Sequence, residues 1–123
     1  MKRPRLDNMT ANQLVDRFVS IALDQDQALL YSDIAKYNQL FKQMELVEEE
    51  LKRRTGDQRQ ALIRLYDHPN AQVRLKAAKA TLAVAPEGAR HLLEIIANSR
   101  KYPQAGDAGM SLVNLDRGIY KPT

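Results

Sequence analysis

A chain of 123 residues with net charge +4, 28% charged residues and no cysteine has the size of one domain, and it excludes disulfide frameworks, thiolate metal sites and a cysteine nucleophile. Its longest apolar runs fall far short of the roughly 20 residues needed to cross a bilayer, and the opening M-K-R-P-R-L-D-N lacks the apolar region of a signal peptide. The expectation is a cytoplasmic protein whose residues 1–123 form a single domain.

Residues 1–9 are polar, contain Pro4 and the bases Lys2, Arg3 and Arg5, and show no period, so they read as a mobile arm. Thr10 is placed to cap a first helix in which Leu14, Val15, Phe18, Ile21 and Ala22 form one apolar stripe. The polar cluster Asp24-Gln25-Asp26-Gln27 is expected to interrupt it, with residues 28–31 as a short connection. Ser32 or Asp33 then caps the longest element, which runs to Arg54 and carries Ile34, Tyr37, Leu40, Phe41, Met44, Val47 and Leu51 toward one side. Near its end, Glu48, Glu49 and Glu50 precede Lys52, Arg53 and Arg54 at four-residue spacing, the favourable order for ion pairs on a solvated helix face. Gly56 suits a left-handed cap after it.

Asp57 is expected to cap a third helix that buries Ala61, Leu62, Leu65 and Tyr66 and stops at Asp67-His68-Pro69. The stretch Asn70 to Leu82 follows at once, so the two should form an antiparallel hairpin. Asn70 is a good N-cap, and Val73, Ala77, Ala80 and Val84 share one stripe while Leu75, Ala78, Leu82 and Ala85 share the next. Alanines at this spacing lower the ridges, so neighbouring helices can approach near the short end of the roughly 8 to 10 Å range. Pro86 fits the first position of a further helix with Ala89, Leu92, Leu93, Ile96 and Ala97 on its apolar face. Residues 102–123 change character: K-Y-P-Q-A-G-D-A-G-M is a poor regular element, and only Met110 to Leu115 is expected to make a turn or two of helix. The apolar residues Met110, Leu112, Val113, Leu115, Ile119 and Tyr120 predict that this irregular tail docks on the helices.

The charge surplus has an address. Up to Gly56 bases and acids balance, whereas from Asp57 to Lys101 the bases Arg59, Arg64, Arg74, Lys76, Lys79, Arg90, Arg100 and Lys101 face only Asp57, Asp67, Glu87 and Glu94. A basic face of this kind can steer partners. Lys76 and Lys79 share a helix side, but Arg74 lies about 200° round from Lys76 at 100° per residue, which splits the patch.

Asp67, Pro69, Val73, Arg74, Ala77, Ala78 and Leu82 resemble the second-helix signature of HEAT-type repeats. Together with A-V-A-P-E and with Y-P-Q-A-G-D-A-G-M through G-I-Y-K-P-T, the chain is similar to a small bacterial family of about this length with a HEAT-like helical fold and unknown function. The resemblance implies an α-α superhelix of stacked hairpins, a structural Arg74 paired with Asp67 at the turn, and no catalytic residue to carry over. With about one recognisable repeat, the first helix and the tail must serve as caps.

Chemistry has little to build on. His68 sits in a turn and His91 on a helix, and no local spacing joins either to a nucleophile or to a second metal ligand. The G-D-A-G of the tail lacks the flanking strand and the lysine of a phosphate loop. No catalytic residue, metal or cofactor is therefore expected. The sequence reads as an all-α protein of about five main helices in antiparallel hairpins, a short HEAT-like stack with a docked irregular C-terminal tail. The function expected is protein-protein interaction, as an adaptor, regulator or immunity-type inhibitor, monomeric or weakly self-associating. Candidate contact residues are Arg74, Lys76, Lys79, Tyr102 and Tyr120. The alternative is nucleic-acid backbone binding through the basic helix face, which the absence of tryptophan leaves without much of a stacking platform.

Overall fold

The structure, a computed structural model, describes residues 5–123; Lys2, Arg3 and Pro4 of the expected arm lie outside the described residues. The fold is all-α. Its helices are α1 (Ala11–Leu30), α2 (Ile34–Arg53), α3 (Ala71–Ala80), α4 (Pro86–Asn98) and α5 (Gln104–Asp116), with 3-10 segments at Leu6–Asn8 and Gln58–Asp67. The chain divides into two compact units at Ala61 and Leu62.

In the first unit, α1 begins at a full capping box: the Thr10 hydroxyl accepts from the Gln13 backbone N–H, and the Gln13 side chain accepts from the Thr10 N–H. The expected break at Asp24 to Gln27 does not occur, and α1 runs unbroken to Leu30. Its buried positions Leu14, Phe18, Ile21, Gln25 and Ala28 keep one stripe, so Gln25 falls on the inner face. The cost of burying its amide is met in part by donation to the Met44 sulfur of α2 at 3.9 Å. Leu40, Met44, Val47 and Leu51 line the facing side of α2, and the two helices pack against each other.

The charged end of α2 differs from a solvated face. Glu50 is buried and accepts from Arg54 Nε at 2.9 Å and from Arg53. Arg53 thus pairs three residues back rather than with Glu49. Arg54 also donates to the carbonyl oxygens of Leu6 at 3.0 Å and Met9 at 2.6 Å. The described part of the expected arm is therefore a 3-10 turn held by a guanidinium. Gly56 follows with φ of +80°, the left-handed conformation that glycine adopts at no steric cost.

The next segment is not the α-helix that its apolar residues suggest. Gln58–Asp67 winds as a 3-10 helix and closes with His68 N–H on the Leu65 carbonyl at 3.1 Å. Its buried residues are Leu62 and Leu65, three apart, and side chains at that spacing eclipse each other in the tighter helix. Asp57 still serves the start, accepting from the Arg59 backbone N–H at 3.3 Å and from its guanidinium.

In the second unit, α3, α4 and α5 pack mutually. The Asn70 side chain caps α3 by accepting from the N–H groups of Gln72 and Val73. Seven of the ten residues of α3 are buried. It stops at Thr81, earlier than the stripe through Val84 and Ala85 suggests; there the Thr81 hydroxyl donates back to the Ala77 carbonyl at 2.8 Å and meets the Tyr66 hydroxyl. Leu75, Ala78, Leu82, Ala89, Leu92, Leu93, Ile96 and Ala108 form one core cluster. The tail is the largest departure from expectation: α5 is regular from Gln104 to Asp116. Gln104, Ala105 and Ala108 are buried, and the Gln104 amide donates to the Gln72 side chain at 3.0 Å. Packing and this buried amide pair outweigh the poor helix propensity of Gly106 and Gly109.

Two outcomes follow from these contacts. Ala78→Leu overpacks the fully buried cluster position, and chemical denaturation should show a loss of about 1 to 3 kcal/mol; an unchanged midpoint would contradict the packing. Arg54, then Arg53, hold the Glu50 carboxyl below the ordinary glutamate range, with burial opposing them. A carboxyl depressed in the folded state stabilises above its unfolded value and loses that contribution as pH falls through the folded one. Glu50→Gln should therefore cost about 1.5 to 3 kcal/mol at neutral pH, with the difference from wild type shrinking in denaturation series taken below about pH 4.

Candidate protein-interaction surface

The residues singled out in the sequence part company once folded. Lys76 is only 5% exposed. Lys79 is half-buried and donates to Asp107 of α5 at 2.8 Å. Arg74 is partly buried, its Nε has no hydrogen-bond partner, and no ion pair joins it to the exposed Asp67 among the described residues. The turn is held instead by His68, whose Nδ1 accepts from the Asn70 N–H at 3.0 Å, and by the Asn70 cap. Of the basic residues expected on α3, Lys76 is thus turned inward and Lys79 is paired internally, for a physical reason: α3 contacts both α4 and α5, which leaves little of its circumference to solvent. Tyr102 and Tyr120 do lie exposed.

What sequence reasoning missed is the outer face of α5. Gly106, Met110, Val113 and Arg117 fall within about 60° of one another at 100° per residue, and all four are exposed. Met110 is 61% exposed. The Tyr102 ring lies over the start of this face, with Cδ1 3.7 Å from where a Cβ on Gly106 would stand. Gly109 faces open space. The flanks are fixed from within: Asp107 belongs to Lys79, and Asp116 pairs with Arg90 of α4 at 2.9 Å. The Arg90 guanidinium holds the Asp116 carboxyl below the ordinary aspartate range. Beyond α5, Gly118 at φ of +69° ends the helix, and the N–H groups of Ile119 and Tyr120 both return to the Asn114 carbonyl. The signal for this face was present as the spacing of Met110 and Val113. A helix expected only from Met110 to Leu115 leaves out Gly106, where this face begins.

The first unit offers a second apolar surface. At the turn between α1 and α2, Leu30, Tyr31 and Ile34 are 72 to 75% exposed. They stand beside a shallow hollow of about 240 Å³ lined by Ala28, Leu29, Ser32, Asp33, Ile34 and Tyr37. Ser32 has φ of +54°, and the Asp33 side chain caps α2 by accepting from the Lys36 N–H at 3.1 Å. The turn is therefore built by local hydrogen bonding, with its apolar side chains left outside. Among the described residues no helix is long and apolar enough to cross a membrane.

Comparison with known proteins gives a family and no activity. The crystal structure of the protein RPA1889 from Rhodopseudomonas palustris CGA009 is 51% identical in sequence and superimposes with a TM-score of 0.94 over 98% of this chain and 100% of that one. No curated protein matches. A family model described as a domain of unknown function, DUF2019, matches residues 12–116. From the first turn of α1 to the last residue of α5, then, the chain belongs to the DUF2019 family.

Proposed function

We propose that this protein is a non-enzymatic protein-protein interaction module of HEAT-like type, an adaptor, regulator or inhibitor working in the cytoplasm. The observation that supports this reading is the presentation of large apolar side chains on and beside well-packed helices: Tyr102 and Met110 in the second unit, and Leu30, Tyr31 and Ile34 in the first, are all more than 60% exposed. Exposed apolar side chains that cluster are the usual mark of an interaction surface. Aromatic residues and methionine are also the types enriched at such contacts. The nucleic-acid alternative draws less support, because Lys76 is buried and Lys79 is committed to Asp107, so two of its three central cations do not stand free toward a phosphate.

Affinity capture from native lysate under mild cross-linking tests the reading. The wild-type protein should retain a stoichiometric protein partner, and either Met110→Asp or Tyr31→Asp should release it while the circular-dichroism melt stays within a few degrees of wild type. Recovery of nucleic acid in place of protein, or of no macromolecule, would overturn it.

A further inference from the structure

We infer that the outer face of α5 is a docking site for an acidic amphipathic helix of another protein. This deepens the interaction reading and rests on it. Along the face the chain presents Tyr102, Gly106, Met110, Val113 and Arg117, all exposed, over about 20 Å at 1.5 Å per residue. That is the footprint of a partner helix of three to four turns. The floor is low where the partner would cross: Gly109 has nothing within 4 Å of a built Cβ. Gly106 is screened only by the Tyr102 ring. Small residues at a helix crossing let the two axes approach closely, with Met110 and Val113 as the apolar ridge that enters the partner's groove.

Charge names the partner. Both acids of α5 are neutralised by their own unit, Asp107 by Lys79 and Asp116 by Arg90. The bases at the two ends of the face are different: Arg100 and Lys101 before Tyr102, and Arg117 and Lys121 after Val113, are all exposed. No side-chain ion pair engages any of the four among the described residues. An apolar stripe with free cations at both ends complements a helix that has apolar residues on one side and carboxylates toward its two ends. A second copy docked through the same face would oppose like charges. A flat anionic membrane would gain nothing from the two glycines.

The test uses the full-length protein and a synthetic helical peptide of about four turns, with leucines on one face and glutamates elsewhere. A second peptide has lysine at every glutamate. Fluorescence anisotropy should show the glutamate peptide binding at low salt, weakening with added salt, and binding at least about tenfold more tightly than the lysine peptide. Gly109→Leu fills open space on the surface of a helix, so its melting temperature should not fall, yet it should weaken binding about tenfold or more. Lys101→Glu and Arg117→Gln should each weaken it as well. Equal affinity for the two peptides, an unaffected Gly109→Leu, or displacement of the peptide by duplex DNA or phosphatidylglycerol vesicles would overturn the assignment. A lysate partner that survives Gly109→Leu and is lost with Tyr31→Asp would sink this inference and leave the interaction reading intact.

Discussion

A helix that is covered on nearly all sides needs small side chains where its neighbours approach and partners inside the protein for its polar groups, and α3 supplies both except at the buried Arg74 Nε. Ala77 and Ala78 are fully buried, which keeps the helix thin enough for α4 and α5 to reach it. Three polar side chains of α3 and its C-cap are then drawn into specific bonds. Gln72 accepts from Gln104, Lys79 donates to Asp107, and Thr81 folds back on Ala77. Two of these three bonds end on α5. A buried amide or ammonium left without a partner is costly, so these links set the rotation of α5 about its own axis and decide which of its faces is turned outward.

Much of this architecture was legible in the chain. Thr10, Asn70 and Gly56 are punctuation of a local kind, where a side-chain oxygen or a missing Cβ acts within three or four residues, and all three perform as their chemistry suggests. The apolar stripe of α1 and the alanine pattern of α3 are likewise properties of a single helix. The departures share one cause. Gln25 meets Met44 on the facing helix, α5 packs on Gln72 and the core around Ala108, and the Arg54 that pairs with buried Glu50 is held by two remote carbonyls. Each depends on residues distant in sequence, and neither propensity nor periodicity contains that information. The 3-10 winding of Gln58–Asp67 is subtler, since two buried leucines three apart suit either helix.

Charge shows the same division between count and placement. The basic surplus between Asp57 and Lys101 is a fact of composition, and from it alone α3 looks like a cationic surface. Folding sorts that surplus differently. Lys76 goes inside, Lys79 and Arg90 hold acids of α5, and Arg100 and Lys101 stay exposed just before that helix. A protein of this composition therefore carries two electrostatic roles that its net charge does not separate: some cations fasten one helix to its neighbours, and others remain available to molecules outside.

The clamp at the end of α2 bears on how this sequence can change. Arg54 grips residues 6–9 by the carbonyl oxygens of Leu6 and Met9, and a carbonyl is offered equally by every amino acid. The side chains of that turn are consequently under little constraint from the clamp, whereas the pair that forms it, Arg54 and the carboxylate of Glu50 that orients it, has few substitutes. A lysine could supply the charge without the planar fork that meets Glu50 through Nε while a terminal nitrogen reaches both oxygens. Drift should accordingly be permissive on one side of this contact and narrow on the other. Recognition by main chain makes half of an interaction invisible in the letters of the sequence.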